Sequence, residues 1–271
     1  MVTRAVSSWS LHRTLGRFKS PDSPSHGALD VASPIPTSGL SLLDLPAELR
    51  ARGYDAVQIC HFHLPSRSSS YLDELRAALA ESQIDLDALL VDDGDLTSAH
   101  DADAQEAWIA GWLDVAVHLG SRRARLCAGR SAPTEETLRE SARRLVRLAE
   151  SHPDVRIVTE NWMESMPNAD SVLTVLRETG DAVGLMIDLG NWSGPGKYRD
   201  LAAIAPFAET CHAKCHFTGH QPDSEDFRTS LQILKDAEYD GPLALIYDGR
   251  DDDDEWGCLD REYDIVREVF A

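Results

Sequence analysis

Three side chains that could do chemistry stand at the ends of successive short apolar runs. Glu160 follows Val155–Thr159, Asp188 follows Val183–Ile187, and His212 lies inside the stretch Glu209–Phe217. Side chains of a strand alternate between two faces. His212, Lys214 and His216 therefore share one face of that stretch, and Cys211, Ala213 and Cys215 share the other. Converging carboxylates repel one another, and an unpaired buried carboxylate is costly. A divalent cation relieves both problems, and two carboxylates with an imidazole suit Mn, Mg, Co or Zn. Asp248, just after the run Pro242–Tyr247, is a fourth candidate ligand. Each residue also has a structural reading: a helix cap or loop acid for Glu160 and Asp188, a hydrogen-bonded core imidazole for His212, and part of a solvated acidic run for Asp248.

These positions are far apart in sequence, so only the fold can gather them. Short apolar runs alternate with helix-period segments along the whole chain. The runs are Arg4–Ser10, Asp55–Cys60, Ile84–Val91, Arg123–Cys127, Val155–Thr159, Val183–Ile187, Glu209–Phe217 and Pro242–Tyr247. Between them, helical spacing covers Leu42–Arg52, Tyr71–Glu81, Ala102–Leu119, a segment capped at Thr134 that runs to about Ser151, Ala169–Thr179 before Gly180, Glu225–Ala237, and a last helix through Phe270. Strands alternating with helices imply a parallel sheet, and eight such units in 271 residues imply one closed (β/α)8 TIM barrel over residues 1–271. No glycine fingerprint follows the first run, which leaves dinucleotide binding without local support. The Pro-, Ser- and Gly-rich stretch from Gly16 to Gly39 is a long loop, of the kind that is functional or mobile.

Barrel enzymes place their chemistry at the C-terminal ends of the strands. That adds His12 after the first run, His61 and His63 after the second, and Trp9, Trp162 and Trp192 as walls of a small-molecule pocket. The tryptophans serve equally as core. Arg13 and Arg130 are candidates for an anionic group on the substrate, with surface ion pairing as the other reading. The acidic run Asp251–Glu255 lacks the glycine and ligand spacing of a calcium loop, and reads as a solvated segment that favours the last helix's N-terminus.

Composition narrows the function classes. The formal charge of −20 repels phosphate backbones, so no nucleic acid is expected as a partner. Five cysteines, odd in number and without a C-x-x-C pair, read as reduced thiols. The N-terminus lacks a signal-type apolar region, and no run is long enough to cross a membrane. A cytoplasmic protein with no membrane partner is expected; a homo-oligomer is left open.

The segments Val158-Thr159-Glu160-Asn161, Ile187-Asp188-Leu189-Gly190-Asn191, His212-Ala213-Lys214 and Gly241-Pro242-Leu243-Ala244-Leu245 resemble the sugar phosphate isomerase/epimerase family of the xylose isomerase-like barrel superfamily. The resemblance covers most of the chain. It implies one divalent metal at the top of the barrel, held by Glu160, Asp188 and His212, with Lys214 facing the substrate. Two positions depart from the family. Its eighth strand ends in a metal-binding Glu, and that place falls on Ile246 here; Asp248, two residues on, is the candidate substitute. A sixth-strand His of the family is Asn191 here.

The expected activity is metal-dependent isomerisation or epimerisation of a sugar or polyol-related carbonyl substrate through an enediolate. Glu160 is the candidate base, with Lys214 or a histidine (His12, His63 or His216) as acid partner. A desolvated Lys214 beside a metal would have a lowered pKa. His12, His61, Asn191, His216, Trp162 and Arg130 are candidate substrate contacts. The alternatives are a lyase or inosose-type dehydratase of the same barrel group, a barrel that binds a ligand without turnover, and a phosphodiester hydrolase, which the charge disfavours.

Overall fold

The computed structural model describes residues 2–16, 39–247, 249 and 254–271. Most of the Gly16–Gly39 loop, Asp248 and Asp251–Asp253 lie outside the described residues.

Eight parallel strands close into a barrel: β1 (Arg4–Ser7), β2 (Ala56–Cys60), β3 (Asp85–Val91), β4 (Arg123–Leu126), β5 (Arg156–Glu160), β6 (Gly184–Asp188), β7 (Ala208–Cys215) and β8 (Leu243–Tyr247). Each pairs with its sequence neighbours, and β1 pairs with β8 to complete the ring. Helices fill the connections: α1 (Leu45–Ala51), α2 (Ser69–Ser82), α3 (Ala102–Leu119), α4 (Glu135–Ser151), α5 (Ala169–Thr179), α6 (Lys197–Ile204), α7 (Ser224–Asp236) and α8 (Glu255–Phe270). This is the expected single (β/α)8 barrel.

Local chemistry sets the helix ends. α4 starts in a capping box, in which the Thr137 amide donates to Thr134 Oγ1 and the Thr134 amide donates to Thr137 Oγ1. The Asn168 side chain caps α5 through the amide of Ser171, and α3 stops at Gly120, whose φ of 70° is left-handed. α6 was not anticipated from the sequence. It is short, and only Leu201 and Ile204 among its apolar side chains, with the stem of Lys197, are buried.

The main core lies between the strands' outer faces and the helices, and includes Val57, Leu89, Ile157, Ile187 and Leu245. Cys211, Ala213 and Cys215 belong to it, as strand alternation requires. All five cysteines are free and buried, and burial pushes the thiols of Cys127, Cys211 and Cys215 up.

Inside the barrel, layers alternate. Ala5, Ala56 and Ala244 make an apolar layer. A polar layer joins Asp87 to Arg123, to Gln58 Nε2 at 2.8 Å and to Thr210 Oγ1 at 2.7 Å. The β2–β3 register shifts between Val57 and Gln58, so that Gln58 pairs with Ala88 and Asp87 is the extra residue. A bulge of that kind re-aims a side chain, here into the barrel. Above this layer lie Cys60, Ala88, Leu90, Val158 and Met186.

Glu255 departs from the solvated run expected of it. It is 3% exposed, and its two carboxylate oxygens accept the amides of Arg13 and Thr14, both at 2.8 Å. The first turn of α8 thereby fixes the turn after β1 that carries His12.

Candidate active site at the strand exits

Glu160 ends β5, Asp188 ends β6, and His212 lies in β7 as the Cα partner of Asp188. Sheet register therefore brings Asp188 and His212 side by side, and Glu160 reaches them from the adjoining strand. One ligand atom from each lies within 4.8 Å of the other two, and all three residues are buried. His212 Nδ1 is 3.2 Å from Glu160 Oε1 and 3.5 Å from Asp188 Oδ2.

Each carboxylate is held from outside. Asp188 Oδ1 accepts the amides of Gly190 at 2.7 Å and Asn191 at 2.8 Å. The Asn161 side chain clips the Asp188 backbone from both sides, donating to its carbonyl at 2.9 Å and accepting its amide at 2.7 Å. Asn191 Nδ2 donates to Glu160 Oε1 at 2.8 Å. Gly190 must be small: a Cβ there would sit 2.8 Å from Lys214 Cγ.

The electrostatics follow from burial against charge. Burial alone would push the His212 imidazole down, but Glu160 and Asp188 outweigh it and raise it to about 9. Burial pushes Asp188 up, while the His212 hydrogen bond, the Lys214 charge and the Gly190 amide bring it below the ordinary carboxylate range.

These groups open into a cavity of about 90 Å³. Glu160, Asp188, His212, Lys214 and Asn191 form its polar wall; Cys60, Leu90, Trp9 and Ile246 form the apolar one. Ile246 is 3% exposed and is the Cα partner of Lys214, so the eighth strand presents a hydrocarbon at the position where the resemblance implies a fourth ligand. The candidate substitute, Asp248, lies outside the described residues. A second hollow of about 310 Å³ adjoins the first, and Trp162 and Asn191 border both.

The other candidates scatter. His12 Nδ1 lies 3.1 Å from His63 Nε2, and His63 Nδ1 lies 2.8 Å from Ser8 Oγ, which makes a polar chain beside β1 and β2. His61 is buried against Phe62, Trp108 and Trp112, near Asp92 and Asp93. His216 is exposed beyond the strand end, with Nε2 3.0 Å from the Gly190 carbonyl oxygen. Arg130 pairs with Asp93 at 3.3 Å. None of His12, His61, His63, His216 and Arg130 lines the 90 Å³ cavity.

Two charged lining residues escape the sequence reading. Arg125 and Asp92 face the cavity from β4 and the β3 exit and pair at 2.5 Å, with Arg125 Nε 3.0 Å from Glu160 Oε2. The signal lay in the run Arg123–Cys127. A strand buried on both faces reads as continuous apolar sequence, and two arginines spaced by two do not fit that pattern.

The donor set suits a divalent cation. One ligand atom from each of the three residues lies within 4.8 Å of the others, a spacing that small side-chain shifts would close around an ion, and His212 Nε2 is buried without a hydrogen-bond partner among the described residues.

The structure matches D-psicose 3-epimerase from Clostridium cellulolyticum H10, solved with D-tagatose, with a TM-score of 0.69 at 14% identity over 99% of each chain. A xylose isomerase-like TIM barrel protein from Mycobacterium smegmatis in complex with magnesium matches with a TM-score of 0.65 at 16% identity, over 86% of this chain and 92% of that one. The probable 3-DHS dehydratase of petrobactin synthesis from Bacillus anthracis matches with a TM-score of 0.67 at 11% identity, over 100% and 99%. No curated protein matches by sequence. The family model described as xylose isomerase-like TIM barrel matches residues 46–264, well over half of the chain. The barrel with its triad at the strand exits thus belongs to the xylose isomerase-like TIM barrel family.

Proposed function

We propose that this chain is a divalent-metal-dependent isomerase or epimerase of a sugar or polyol-related carbonyl substrate. The observation that carries the reading is the convergence of Glu160, Asp188 and His212 on one small cavity that also holds Lys214 and Asn191. Glu160, Asp188 and His212 would hold the ion. A bound divalent ion supplies Lewis acidity, which polarises a substrate carbonyl and acidifies the neighbouring C–H.

The chain's own residues do the rest. The Glu160 carboxylate, oriented by Asn191 Nδ2, is the acceptor for the substrate proton. Lys214, pressed against Gly190 in the wall of the same cavity, is the donor. Ile246, Leu90 and Cys60 keep bulk water away from that transfer. A volume of about 90 Å³ is that of about three waters. It takes the reacting end of a sugar, and the remaining carbons extend past Trp162 and Asn191 into the larger hollow. D-Psicose 3-epimerase, with D-tagatose in its structure, supports the sugar assignment.

A dehydratase is the second reading, favoured by the similarity to the Bacillus anthracis protein and by the shared first step of proton removal beside a carbonyl. The test is solvent deuterium incorporation into a panel of ketoses and inososes by the Mn²⁺-loaded protein, followed by NMR. Exchange with return of an epimer or isomer supports the first reading, and loss of water supports the second. Metal binding without exchange in any compound identifies a barrel without turnover.

A further inference from the structure

Arg125 is buried in the cavity wall, 2% exposed, and the chemistry above does not use it. Its guanidinium is held on three sides. Nη2 pairs with Asp92 Oδ1, Nε lies 3.0 Å from Glu160 Oε2, and the group stands 5.0 Å from the Trp162 ring centroid. Nη1 donates to the Val91 carbonyl at 3.4 Å. A guanidinium does not lose its proton in a protein, so this is a permanent charge in a low-dielectric wall. Its planar fork fixes whichever carboxylate it meets.

The consequence for Glu160 is specific. Oε2 faces Arg125, while Oε1 faces His212 and Asn191. Only Oε1 is directed at the space shared with Asp188 and His212. The eighth strand meanwhile contributes Ile246, so among the described residues its part of the wall has no carboxylate to offset an added cation. We infer that Arg125 is a positioning residue that confines Glu160 to single-oxygen coordination and, as a fixed positive charge beside the triad, keeps its affinity for a divalent cation low and the ion exchangeable. This rests on the reading of Glu160, Asp188 and His212 as the ion-binding triad.

Mn²⁺ titration of the chelator-stripped full chain, with free ion read by electron paramagnetic resonance, tests the charge. Arg125→Met removes it and Arg125→Lys keeps it. The Met variant should bind Mn²⁺ tighter by roughly tenfold or more, because a like charge a few ångströms from the ion is gone. The Lys variant should stay within about threefold of the wild type, since its charge is retained. An unchanged or weaker Kd in the Met variant, or equal tightening in both variants, overturns the inference and leaves the triad standing. Absence of Mn²⁺ binding in the wild type and both variants overturns the triad as well. A crystal structure of the wild type with Mn²⁺ needs no variant to fold. It should show Glu160 bound through Oε1 alone with Oε2 still on Arg125, and a bidentate Glu160 overturns the inference.

Discussion

Raising the pH of the metal-free protein should withdraw a stabilising contribution centred on His212. The imidazole sits between Glu160 Oε1 at 3.2 Å and Asp188 Oδ2 at 3.5 Å, and these carboxylates raise it from 6.5 to about 9 against the opposing effect of burial. A group whose folded pKa lies above its unfolded one favours the folded state while protonated. The contribution is complete below pH 6.5 and disappears as pH climbs through about 9. Each factor of ten in proton affinity is about 1.4 kcal/mol, so the full contribution is on the order of 3 kcal/mol. For a chain of this size that is roughly 6–12 °C in melting temperature. Other groups titrate over the same range, so the measurement is a difference: calorimetric melting of the wild type and His212→Gln in chelator at pH 6, 7.5 and 9.5. The stability gap between the two proteins should narrow by on the order of 3 kcal/mol across that series. Saturating Mn²⁺ should reverse the slope, since a coordinating imidazole must be neutral. A gap that stays constant, or that widens with pH, would refute the placement of a protonated His212 between the two acids.

Two further outcomes follow from neighbouring groups. Asp188→Asn should weaken Mn²⁺ binding by more than roughly 100-fold in calorimetric titration while leaving the fold intact, because Asn161 still clips the backbone at that position. Arg123→Met should cost about 3–5 kcal/mol in urea unfolding, since it leaves the Asp87 carboxylate buried with only Gln58 and Thr210 as partners, and the double variant with Asp87→Leu should recover most of the loss.

The sequence carries the barrel through local signals. α3 and α5 begin and end where periodicity and, for α5, the Gly180 stop place them, because a long amphipathic segment and a terminal glycine are both visible in one dimension. α6 is not visible that way. It has eight residues, two buried apolar side chains and a polar first turn, too little for a periodic signal. Glu160, Asp188 and His212 are legible as polar residues at strand exits. The pairing of Arg125 is not, since its partners lie 33 residues before it at Asp92 and 35 after it at Glu160, and meet it only when the sheet closes. The inward turn of Asp87 depends on a register shift against β2, a property of two strands together. Glu255 looks like one acid among several, and its role appears only once α8 packs over the turn after β1.

The ladder between β6 and β7 makes Asp188 and His212 direct neighbours, so the main chain itself is the ruler that spaces them. The spacing of these two positions is then a property of the sheet and not of the side chains that surround them. A fold common to this chain and proteins only 11–16% identical to it is what such a ruler permits.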